Sequence, residues 1–101
     1  MLPMIDHRRY TLAPEAVFKP SGEEALILKL DDETMFALNA TGARIVALAV
    51  EGKERGAIVR ILAEEYHSSA EEIARAVGGL LDELVAGGLL LPAADKVTSE
   101  Q

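Results

Sequence analysis

Residues 25–45 are ALILKLDDETMFALNATGARI, and within them the apolar pattern changes from that of strands to that of a helix. Its first half alternates in two rows along an extended chain: Leu26, Leu28 and Leu30 form one, and Ala25, Ile27 and Lys29 form the other. After the acidic pair Asp31 and Asp32, the alternation resumes through Phe36 and Leu38. Two short alternating runs around an acidic turn predict a β-hairpin.

Two helices are predicted after the hairpin, because from Asn39 onward the apolar residues recur every three to four positions. Asn39 or Thr41 can cap the first helix, and Gly52 ends it. The second helix is predicted from about Glu54 to Tyr66, although its start lacks a good capping side chain. The chain therefore changes from β to α structure at Asn39.

A third helix begins at a capping box, in which Ser69 and Glu72 can satisfy free backbone N–H groups. It ends at Gly87 and Gly88, and its apolar residues cover about half of its circumference: Ile73, Ala76, Val77, Leu80, Leu81, Leu84 and Val85. Packing on a small core needs only about a third. The surplus either contacts the hairpin or lines a groove for a partner. Gly78 and Gly79, in mid-helix, are either simply tolerated or let another backbone approach closely.

The remaining segments complete an α+β pattern. Val17, Phe18 and Lys19 can form a short edge strand that stops at Pro20. Three strands followed by three helices predict a three-stranded antiparallel sheet packed on a three-helix bundle, which outlines a winged helix-turn-helix. Residues 1–15 and 93–101 are expected to be tails on either side of a single folded domain at residues 16–92.

The composition narrows the class of protein. The 101 residues allow one small domain, and the net charge of −7 disfavours nucleic acid and anionic membranes as partners, which leaves proteins or peptides. Cysteine is absent, so disulfides and thiolate metal sites are excluded. Because neither a membrane-length apolar run nor a signal peptide is found, we expect a cytoplasmic protein.

Motifs for catalysis are missing from the sequence. His7 and His67 are far apart, and the triplet of Glu64, Glu65 and His67 matches no metal-ligand spacing. The serines lack a nucleophile elbow, and the glycines match no nucleotide-binding fingerprint. We therefore expect a protein that is not an enzyme and uses no cofactor and no metal.

The hairpin and the third helix together suggest a binding groove. A sheet of three short strands must have an edge, and the strand at residues 33–38, which leads directly into the first helix, can be a strand with a single neighbour. Its free edge would expose N–H and C=O groups to which an extended peptide could add, with alternate side chains directed toward the third helix. In the alternative, the N-terminal segment covers this edge.

A family resemblance supports this hypothesis. Residues 36–45, FALNATGARI, resemble the LN-x-T-G-A-x-I pattern of the PqqD family, and the apolar spacing through Leu89 follows the same family. The resemblance covers about residues 16–92 and is nearest to stand-alone versions in lasso-peptide or radical-enzyme clusters. It implies a domain that recognises the leader segment of a ribosomally made precursor peptide.

The resemblance also implies where the peptide would bind. The leader would add as a strand beside the third strand and against the third helix. The expected contacts are with eleven residues: Glu33, Thr34, Met35, Phe36, Ala37, Leu38, Glu72, Ala76, Gly79, Leu80 and Glu83. The implied partners are the precursor peptide and a modifying enzyme, either a radical SAM enzyme, a peptidase or a cyclase. The open strand edge could also join two copies of the chain.

Two other functions remain open from the sequence. A winged-helix regulator would bind DNA through the third helix, which offers Arg75 among the acidic residues Glu71, Glu72, Asp82 and Glu83. A purely structural subunit would use the leucine-rich side of the same helix to stay in a complex.

Overall fold

The computed structural model describes residues 6–93, in which five strands and three helices follow one another. In chain order the elements are β1 (Arg9–Leu12), β2 (Ala16–Ser21), β3 (Glu24–Lys29), β4 (Thr34–Leu38), α1 (Ala40–Val50), α2 (Arg55–Tyr66), α3 (Ala70–Ala86) and β5 (Leu90–Ala93). The predicted three-stranded sheet followed by three helices, and with it the α+β class, is confirmed, whereas β1 and β5 were not predicted. No helix among the described residues combines the length and the apolar character needed to cross a membrane.

The main sheet is antiparallel, with the strand order β2-β3-β4. Ser21 pairs with Glu24 across a two-residue turn, and Lys29 pairs with Thr34 across a four-residue turn. In the second turn Glu33 has a φ of 60°, and the Asp32 carboxylate accepts hydrogen bonds from the N–H of Thr34 at 3.1 Å and from its hydroxyl at 2.6 Å. The two aspartates are a weak turn signal in the sequence, but the turn is stabilised because the Asp32 side chain bonds the backbone two residues later.

The two rows of β3 face different environments. Ala25 and Ile27 are buried against the helices together with Leu38 of β4, and α1 packs directly on β3. Leu26 and Leu28 belong to the opposite face of the sheet, where they remain half-exposed. The row with the larger apolar side chains therefore points away from the core.

Side-chain caps begin two of the helices. The Asn39 side chain accepts a hydrogen bond from the Gly42 N–H at 2.8 Å, so Asn39, and not Thr41, caps α1. The Ser69 hydroxyl accepts one from the Glu72 N–H at 3.1 Å and caps α3 as expected. Each bond satisfies one of the N–H groups that a helix start leaves without an intrahelical partner.

Backbone atoms from the N-terminal segment complete the start of α2. Glu54, at the N-cap, makes no side-chain capping bond. Instead, the N–H of Arg55 donates to the Arg8 carbonyl and the N–H of Gly56 donates to the Asp6 carbonyl, both at 2.8 Å. A Cβ on Gly56 would lie 3.0 Å from the Asp6 backbone, so glycine allows this close approach. The capping side chain missing from the sequence is replaced by a distant piece of main chain.

The expected tails are more ordered than the sequence suggests. β1 pairs antiparallel with β5, and Tyr10 and Ala13 are buried in the core. The prediction of a loosely docked N-terminal tail is therefore wrong for residues 9–13. This segment is ordered by pairing with β5 near the other end of the chain, and such a distant partner leaves no local pattern in the sequence. Pro92, expected to close the domain, lies inside β5 opposite Tyr10. The expected tails at residues 1–5 and 94–101 lie outside the described residues.

Arg55 links the N-terminal segment to α2 and α3. Its guanidinium donates to the Tyr10 hydroxyl at 2.9 Å and to Asp82 at 3.0 Å. A Cβ on Gly78 would overlap this guanidinium, whereas a Cβ on Gly79 would meet no atom within 4 Å. Of the two mid-helix glycines, Gly78 thus makes room for the half-buried Arg55 side chain, and Gly79 has no such packing reason.

Candidate functional site

A groove of about 330 Å³ lies between the end of β4, the start of α1 and the middle of α3. Ten residues line it: Phe36, Ala37, Leu38, Asn39, Thr41, Gly42, Ile45, Ala76, Leu80 and Glu83. Leu38 and Ile45 are buried, while Phe36 and Leu80 are half-buried at its walls. Glu83 is the one charged lining residue, so the groove suits apolar side chains.

The edge of β4 beside this groove has no strand partner among residues 6–93. β4 pairs with β3 on one side only, and the N-terminal segment pairs with β5 instead of covering β4. This arrangement agrees with the open-edge hypothesis, and residues 9–12 do not occupy the edge as the alternative would require. An unpaired edge exposes main-chain donors and acceptors to any extended chain that approaches.

The hydrogen-bond alternation identifies which amides of β4 face outward. The N–H of Leu30, just after β3, donates to the Glu15 carbonyl at 2.8 Å. Because hydrogen bonds alternate in direction along an antiparallel strand, Leu28 and Leu26 also bond toward β2. Ile27 and Ala25 therefore bond toward β4, where their register partners are Phe36 and Leu38. The residues between them, Met35 and Ala37, direct their N–H and C=O groups to the free edge.

The other free edge, on β2, is much less suited to strand addition. The same alternation places Ala16, Phe18 and Pro20 outward. Proline has no N–H, and the Ala16 N–H already donates to the Ala13 carbonyl at 2.9 Å. A larger cavity of about 490 Å³ adjoins this edge, between Phe18 and Tyr66, but Phe18 alone retains an outward donor there. Strand addition is therefore favoured at β4.

The predicted contact residues divide into two groups in the structure. Six line the groove: Phe36, Ala37, Leu38, Ala76, Leu80 and Glu83. The other five do not: Thr34 and Met35 are exposed on β4, Glu33 lies in the preceding turn, Glu72 is in the first turn of α3, and Gly79 faces open space. Met35 remains part of the β4 edge through its outward amide.

Four lining residues were missed because their sequence signals were attributed to the helix alone. Asn39, Thr41, Gly42 and Ile45 belong to the start of α1, which closes one end of the groove. A Cβ on Gly42 would lie 3.3 Å from the Asn39 Oδ1 and from Leu38 Cδ2, so glycine keeps the capped turn close to the strand. The sequence signal that could have identified this wall is Gly42, a glycine placed in the first turn of a predicted helix.

Acidic side chains cover the exposed side of α3 near the groove. Glu71, Glu72, Asp82 and Glu83 are exposed along this helix, with Arg75 as its basic residue. A like-charge phosphate backbone would be repelled by such a surface. The helix that a winged-helix protein would insert into DNA is thus electrostatically unsuited to that role.

A comparison with known protein families finds one that matches this architecture. Residues 24–90 match the family described as coenzyme PQQ synthesis protein D (PqqD). The chain belongs to the PqqD family. The matched range begins at β3 and ends at the first residue of β5, so it includes β4, α1 and α3, the three elements around the groove.

Two solved structures resemble this PqqD-family chain over most of its length. One is TbiB1 in complex with the TbiA(beta) leader peptide, with a TM-score of 0.77, 30% identity, and coverage of 84% of this chain and 99% of TbiB1. The other is a lasso peptide synthetase B1 complexed with the leader peptide, with a TM-score of 0.77, 24% identity, and coverage of 83% and 99%. The second, at its lower identity, bears on the fold alone. No curated protein shows significant sequence similarity to the chain.

Proposed function

We propose that this protein captures the leader segment of a ribosomally made precursor peptide and presents the peptide to a separate enzyme. The observation that carries the proposal is the unpaired edge of β4, with the outward amides of Met35 and Ala37, beside the apolar groove under α3. Support also comes from TbiB1, a relative at 30% identity that is in complex with a leader peptide.

The leader would bind as an added β-strand. Main-chain hydrogen bonds to the free edge would fix its path and register, independently of its sequence. Every second side chain would point toward the groove, where Phe36, Leu80 and Ile45 offer apolar contacts. Selectivity would therefore come from apolar leader residues at alternate positions, and affinity from both sets of contacts.

The proposed role is non-catalytic. A protein that holds the leader while an enzyme acts on the rest of the precursor raises the effective concentration of that substrate. Binding at about −8 kcal/mol, which is a micromolar Kd, would suffice and would still release the product. The enzyme would be a peptidase, a cyclase or a radical SAM enzyme, and the proposed location is the cytoplasm.

A direct binding measurement tests this proposal. Two fluorescein-labelled leader peptides serve as probes: a leader sought among the short reading frames that neighbour the gene for this chain, and the TbiA(beta) leader. Fluorescence anisotropy should give saturable binding of the first probe in the micromolar range, while a peptide of the same composition in scrambled order should bind much more weakly. Equal binding of the leader and scrambled peptides would contradict selective capture.

A gel-shift experiment with duplex DNA at low salt tests the alternative function. Because α3 is acidic, we expect no shift at protein concentrations that saturate the leader probe. Tight DNA binding under these conditions would favour a winged-helix regulator instead.

A further inference from the structure

The main sheet has an apolar outer face, on the side opposite the helices. Five strand residues and Leu30, which directly follows β3, form it and are here called the outer patch: Val17, Leu26, Leu28, Leu30, Met35 and Ala37. Leu30 is 62% exposed, Met35 61% and Val17 38%. The register places Val17 opposite Leu28 and Leu28 opposite Met35, so these side chains form one continuous surface.

The pattern of β3 is typical of a strand that is covered on both faces. A sheet with one solvated face alternates apolar and polar residues, whereas a strand buried on both faces is almost continuously apolar. β3 is EALILK, and its outer row carries leucines while its core row includes an alanine. Clustered exposed apolar side chains of this kind mark an interaction surface.

A second copy of the chain fits this surface poorly. The rim of the patch is acidic, with Glu15, Glu24, Asp31 and Glu33 exposed around it and Lys19 as its basic residue. Two copies related by symmetry would bring these carboxylates together, and like charges in an interface cost affinity.

The outer patch is continuous with the leader groove through β4. The side chains of Phe36 and Leu38 point to the groove side of this strand, and those of Met35 and Ala37 point to the outer face, while Ala37 also borders the groove. A leader strand paired with β4 would follow the same alternation, so half of its side chains would extend the outer patch by a fourth strand. Filling the groove therefore enlarges the outer surface.

We propose that the outer patch is the docking surface for the enzyme that acts on the bound precursor, and that leader binding strengthens this docking. The matching surface of the enzyme would have an apolar centre and a rim of Lys and Arg, complementary to the acidic rim here. Since coupling between two binding sites is reciprocal, the docked enzyme would also tighten leader binding. This inference rests on the proposed function.

The test compares two double variants that differ only in location. Leu30→Ser with Val17→Ser removes exposed apolar side chains from the outer patch, away from the free edge of β4. The matched control changes Val50→Ser, an exposed apolar residue at the end of α1 (41% exposed), together with Leu91→Ser in β5 (41%). Circular dichroism verifies that each variant is folded, and anisotropy measures its leader Kd.

Docking is measured by biolayer interferometry with the purified enzyme that acts on the precursor, with and without leader, and by the rate of precursor processing. In the outer-patch variant, enzyme docking and the rate of precursor processing should fall about ten-fold or more, because two exposed apolar side chains of the patch are lost, while the leader Kd changes less than two-fold. The control variant should behave like the unaltered protein, whose docking should increase when leader is added.

Normal docking and processing by the outer-patch variant would overturn this inference while leaving the proposed function intact. Light scattering gives a second contradicting outcome. If the unaltered protein is a dimer and the outer-patch variant is a monomer, the patch joins two copies and the inference is overturned. Failure of the unaltered protein to bind leader is a separate result, and it would overturn the proposed function itself.

Discussion

Removing the outward amides of β4 is the sharpest perturbation of the proposed peptide site. Met35→Pro and Ala37→Pro each delete one N–H that the register directs to the free edge, without deleting a bond to β3. The preceding residues, Thr34 and Phe36, are already in extended structure, which is the conformation that proline favours before it. Each variant should therefore fold and lose one donor to the leader.

The expected loss follows from the number of donors. A main-chain hydrogen bond contributes about 0.5–1.5 kcal/mol net, so each proline should raise the leader Kd about 2- to 12-fold. Because β4 has two outward amides, the double variant should raise it about 5- to 150-fold if the two losses add. The proline ring at the edge would add a steric penalty to these values.

Fluorescence anisotropy with the labelled leader measures these Kd values, and urea denaturation measures the stability of each variant. Met35→Ala and Ala37→Ser keep the N–H at the same positions and serve as controls for the change of side chain. If both proline variants are folded and bind the leader as tightly as these controls, strand addition at β4 is refuted.

Three further predictions concern the docked N-terminal segment and the helices. Deleting residues 1–8 removes both carbonyl acceptors at the start of α2 and should lower the free energy of unfolding by about 1–3 kcal/mol, measured by urea denaturation; an unchanged midpoint would contradict this capping role. Gly78→Ala should destabilise by displacing the Arg55 guanidinium, whereas Gly79→Ala should stabilise by about 0.5–1 kcal/mol; equal thermal shifts would refute the distinction. Hydrogen bonds from Arg8 and from Arg44 hold the pKa values of Asp6 and Glu65 below their ordinary values. Both carboxylates therefore stabilise the fold above their unfolded pKa near 4, and this stabilisation is lost as the pH falls from there through the lower folded pKa. In the double variant Asp6→Asn with Glu65→Gln, the free energy of unfolding should fall less over this pH interval than in the unaltered protein.

Local sequence signals were sufficient for the three sheet strands, the three helices and two walls of the groove. The change of apolar period at Asn39 marked the boundary between the sheet and the helices, and the capping side chains of Asn39 and Ser69 marked two helix starts. These signals depend on residues a few positions apart, so the chain reveals them without its fold. The strand and helix that line the groove were identified for the same reason.

The start of α2 depended on contacts between distant segments. Its capping groups are backbone carbonyls more than forty residues away, and every residue except proline carries the same N–H and C=O, so no side-chain pattern marks them. β1 likewise became visible only through its pairing with β5 at the other end of the domain.

From the sequence alone one obtains the order of the three sheet strands and the three helices, their periods and the apolar side of α3. The tertiary structure alone decided which row of β3 faces the core, which edge of the sheet stays open, and why Gly78 lies under Arg55. The alternation of a strand gives two faces without assigning either to the interior. Only the packing of α1 against Ala25 and Ile27 left the leucine row outside.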